Sequence, residues 1–176
     1  DEHRTNKREM WNEVIELYFE VCEPQLRVFM SLTYYGDESQ TKYIIQALKR
    51  WIETEPKDPM NHIIVWRYTA SLLLLYTAGI AAIANKKWVF ISEVFGTEKI
   101  PNPQYTDRLE QPLSLILRYF VGSYWTDQQP NNSTLGYPVG TLVRKLLQPS
   151  FERLIPSQSD FEHHFHVFEF LLTMYF

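Results

Sequence analysis

The stretch from Tyr68 to Ala84 holds 17 residues without a charge, and it constrains everything around it. A membrane span needs about 20 apolar residues. This run cannot be lengthened, because His62 and Arg67 precede it, Lys86 and Lys87 follow it, and Thr69, Ser71 and Thr77 dilute it. A helix that is apolar on all sides yet too short for a bilayer has to be surrounded by protein. We therefore expect a buried central helix over roughly Met60 to Asn85. Its small residues Ala70, Ser71, Ala78, Gly79 and Ala82 would let neighbouring helices approach closely.

The flanking sequence supplies those neighbours. A first helix starts near Asn6, with Glu9 completing a capping box, and carries Trp11, Val14, Ile15, Tyr18, Val21 and Cys22 at steps of three and four. Pro24 lacks a backbone donor and should kink or break it. The pattern resumes through Leu26, Phe29, Met30 and Thr33 to a stop at Gly36. A second helix runs roughly Ser39 to Glu53, on Ile44, Ile45, Leu48, Trp51 and Ile52, and ends at the Pro56 to Pro59 linker. A fourth follows the Asn85-Lys86-Lys87 turn, with Trp88, Ile91, Val94 and Phe95 on one face and Gly96 as its stop.

Pro112 occupies the favoured first position of a fifth helix reaching about Trp125. Residues 126–140 read as a long polar loop. A sixth helix covers about Thr141 to Gln148, where Pro149 interrupts it. In a seventh, Ser159 and Glu162 form a capping box ahead of the stripe Phe161, Phe165, Phe168, Leu172 and Tyr175. No segment alternates with period two between hairpin turns, so no sheet is expected. The fold class is all-α: one domain over 1–176, an irregular bundle of about seven helices with helical-hairpin repeat character. Hydrophobic residues at 45% and aromatics at 15% suffice for its core. Asp1 in place of Met, and a last segment apolar to Phe176, give the expectation that the chain is part of a longer protein.

Two resemblances bear on this reading. Within 72–103, Leu75, Gly79, Phe95 and Pro103 fall at the spacing of one degenerate tetratricopeptide unit, with Trp88 where an aromatic is common. Ala82, Ile91 and Glu98 depart from that pattern, and no second copy follows at the repeat spacing. The resemblance implies a helix-turn-helix hairpin. More broadly, the long helix Arg67 to Ala82, the Trp88 helix and the terminal Phe168-Glu169-Phe170-Leu171-Leu172 segment look like helical accessory or sensor regions of large bacterial multidomain proteins. Such regions accompany effector or nucleotide-handling modules, often in anti-phage defence. That likeness implies a setting and carries over no functional residue.

The chemistry-bearing residues are sparse. Net charge is −4, without the basic excess that phosphate contacts require, so nucleic acid is not an expected partner. Cys22 is the lone cysteine, which allows no intrachain disulfide; helical spacing among apolar neighbours makes it a core residue. The sequons at Asn131-Asn132-Ser133-Thr134 read as loop composition. Glu162, His163, His164, His166 and Glu169 crowd one helix, with i, i+4 and i, i+3 spacings that can share a metal. One helix supplies too few ligands, and no H-E-x-x-H is present. Neither a glycine-rich phosphate loop nor a nucleophile elbow occurs. No catalytic residue, metal or cofactor is expected. The expected role is a cytoplasmic, non-catalytic interaction, scaffold or sensor module, contacting a neighbouring domain or a second copy and no membrane. Its candidate interface is Phe168, Leu172, Tyr175, Phe176, Tyr124 and Trp125, with the 126–140 loop. The alternatives are a ligand-binding or enzymatic domain using the His163–His166 helix, and a membrane-associated helical domain.

Overall fold

The computed structural model describes residues 2–53, 61–96, 99–101, 109–111, 113–116 and 138–175. The chain is an all-α multi-helix bundle. Its elements are α1 (Glu2–Tyr35), α2 (Glu38–Glu53), α3 (Asn61–Ala84), α4 (Trp88–Phe95), β1 (Ile100–Pro101), β2 (Leu109–Glu110), α5 (113–116), α6 (Pro138–Phe151) and α7 (Gln158–Tyr175). Among the described residues the one departure from a purely helical reading is the antiparallel pairing of β1 with β2, Ile100 opposite Glu110 and Pro101 opposite Leu109. Two residues a side is too short to leave a periodic signal.

Helix α3, uncharged from Tyr68 to Ala84, is the centre. Every residue from Tyr68 to Ile83 except Ala70 is buried, Thr69, Ser71 and Thr77 included. Helices α1, α2, α4, α6 and α7 all pack on it. Among the described residues no helix is long and apolar enough to cross a membrane. The shell helices each present an apolar stripe to this hub: Ile15, Leu26 and Met30 from α1, Ile44 and Leu48 from α2, Phe90, Ile91 and Val94 from α4, and Val143 and Leu147 from α6.

Small residues bring the hub and α7 together. A Cβ on Gly79 would overlap the Phe168 ring, so only glycine admits that ring against α3. A Cβ on Gly140 would overlap the Glu169 carboxylate in the same way. Two neighbouring residues of α7 are thus seated in two glycine notches, one on α3 and one on α6. Tyr76 of α3 lies between Phe165 and Phe168, with ring centroids 5.4 Å away in each case.

Both internal prolines lie inside helices, Pro24 where a kink or break was expected and Pro149 where an interruption was. Pro24 lies within α1 and Pro149 within the last turn of α6. Each ring faces solvent, so the carbonyl left without a donor can be hydrated. Ile15 on one side of Pro24, and Leu26 and Met30 on the other, are anchored in the core. That packing outweighs a cost of about 3 kcal/mol.

The ends of α1 and α3 are clasped together. Lys86 adopts a left-handed conformation, φ 56°. The Lys87 amide donates to the Ala82 carbonyl at 2.8 Å and the Lys86 amide to that of Ile83 at 3.0 Å, the double closure of a Schellman motif. From this turn the Asn85 amide group donates to the Tyr34 carbonyl, and the Lys87 ammonium to that of Gly36. The C-terminal ends of α1 and α3 therefore meet, and the two helices run side by side in the same direction. Asp37 then caps α2, accepting from the Ser39 amide at 2.8 Å, and those Ser39 hydrogen bonds hold its carboxyl below the usual range. The expected helix-turn-helix is present as α3 and α4, with unequal lengths of 24 and 8 residues.

Candidate functional site

One grouping of titratable side chains lies on α7. Its N-terminus is set by Ser157, whose hydroxyl accepts from the Asp160 amide at 3.3 Å while its carbonyl takes the Phe161 amide at 3.0 Å. The Ser159 capping box read from sequence is therefore displaced by two residues. Two overlapping patterns, Ser157-x-x-Asp160 and Ser159-x-x-Glu162, compete, and burial of Ile155 fixes where the chain turns into the helix. Glu162 accepts instead from the Gln158 side chain at 3.0 Å.

The 100° step per residue then sorts the histidine group. His163 and His166 face outward, and His164 is half-buried beside His163, ring centroids 5.6 Å apart. Burial, followed by the neighbouring His163, lowers the His164 pKa, and Asp160 partly opposes this. Its Nδ1 is enclosed without a hydrogen-bond partner among the described residues. Glu169 is the inward-leaning carboxylate. Tyr76 donates to its Oε1 at 3.4 Å, and His166 Nδ1 lies 3.7 Å from its Oε2. Burial raises its pKa; His166, Tyr76 and the charge of Arg144 on α6 pull the other way.

This cluster ties α3, α6 and α7 through one carboxylate. Among the described residues no three His, Cys, Asp or Glu side chains converge where they could hold a metal. A carboxylate contacting a phenol and an imidazole in a glycine notch positions helices. It does not place a nucleophile, a base and an orienting group around space for a substrate, as a catalytic assignment needs. Sequence reasoning singled out His166 and Glu169 from their spacing. Tyr76 and Gly140 had no such signal, because Tyr76 lies 93 residues from Glu169. Cys22 is half-buried on α1, and burial pushes its thiol up, away from thiolate character.

The interface candidates divide in three. Phe168 and Leu172 are core residues, 1% and 5% exposed, and so are corrected: they face α3 and are not a free surface. Tyr175 is half-buried and stacks on Phe95 of α4 with centroids 5.0 Å apart. Phe176, Tyr124 and Trp125 lie outside the described residues, as does the 126–140 loop up to residue 137; its last three residues open α6. The apolar side chains of α7 that do face outward are Phe170 and Met174, on the opposite side from the stripe read in sequence. Trp88 and Val89 at the start of α4, and Tyr35 at the end of α1, are likewise exposed. A narrow, mostly apolar cleft between α2, α3, α4 and α5 is lined by Ile45, Leu48, Lys49, Leu75, Val94, Leu113 and Ile116.

Comparison with known proteins adds no functional assignment: no family model, curated protein or solved structure matches this chain.

Proposed function

We propose that this chain is a non-catalytic helical interaction module, a scaffold or sensor part of a larger bacterial protein, that works through protein–protein contacts. One observation carries the reading. Around a hub buried from Ser71 to Ile83, large apolar side chains are left facing solvent: Tyr35, Trp88, Val89, Phe170 and Met174 are each about half exposed or more. Trp, Tyr, Phe and Met are favoured at protein interfaces. The acidic balance supports protein over nucleic acid as the contact. The texture shared with helical regions of large bacterial proteins, including those of anti-phage systems, supports the setting.

Native mass spectrometry of the protein isolated from its own cells tests this. The expected species is the chain with a stoichiometric second polypeptide, identical or different, and no retained metal or metabolite. A stoichiometric metal ion or small molecule in place of a polypeptide would shift the role to the alternative, a ligand-binding domain built on the His163–His166 helix.

A further inference from the structure

We draw no further inference here: the strongest candidate, the outward apolar face of α1 that carries Leu17, Val21, Val28 and Tyr35, is flanked by charges of both signs, and nothing in the structure shows what covers it.

Discussion

At the scale of single residues, α7 is held by two glycines, and both can be tested by what they exclude. Gly79→Ala places a methyl group in the Phe168 ring. Overpacking of this kind costs about 1–3 kcal/mol. The expected melting temperature falls by several degrees, and Phe168→Leu, itself destabilising, should lose most of its penalty when added to Gly79→Ala. Additive losses in that double-mutant cycle would show that the notch does not constrain the ring. Glu169 gives a pH prediction. Burial raises its pKa above the ordinary 4.5, so the folded chain holds that proton more tightly than the unfolded one. Its contribution to stability is complete below about pH 4.5 and is lost as the pH rises through the raised folded value. His164, lowered from 6.5, behaves oppositely: its contribution is present above pH 6.5 and lost as the pH falls through its lowered value. Glu169→Gln keeps an acceptor for Tyr76 and removes the charge. Thermal melts should place the variant about 2 °C above the parent at pH 8 and level with it near pH 4. A variant that is less stable at pH 8 would mean that the carboxylate's hydrogen bond from Tyr76 and the nearby charge of Arg144 outweigh its burial.

The helices themselves were legible wherever one apolar face contrasts with one polar face. In α2, Ile44 and Leu48 proved buried, as did Phe161, Phe165, Phe168 and Leu172 in α7. Helix α3 was legible for the opposite reason, the absence of any polar face. Where contrast failed, so did the reading. Val21 was grouped with Ile15 on one stripe of α1, although the helix turns them to opposite sides; two apolar faces together conceal each other's period. Pro24 was read as a kink or break and Pro149 as an interruption, because local propensity carries no knowledge of the packing on either side of them. The candidate site was readable only within α7, since Tyr76 and Gly140 reach Glu169 through tertiary structure. The helix start allows a direct check of this kind of ambiguity. Ser157→Ala should cost about 1 kcal/mol, the worth of an N-cap, while Ser159→Ala should be nearly neutral. Urea denaturation of the two variants decides it, and a loss at Ser159→Ala with Ser157→Ala nearly neutral would return the cap to Ser159.

For the molecule as a whole, the hub helix lies in the middle of the sequence and the helices that enclose it come from both sides. Neither half can bury its apolar stripes without α3, and α3 cannot be covered by either half alone. This favours a single cooperative unit over separable pieces. The clasp of α1 by Asn85 and Lys87 joins groups 51 positions apart in the chain. That separation has a consequence in time. Polypeptides are synthesised at about 5–20 residues per second, so the end of α1 waits several seconds on the ribosome before its clasp has been made. Throughout that interval α1 offers both of its apolar faces to whatever is nearby.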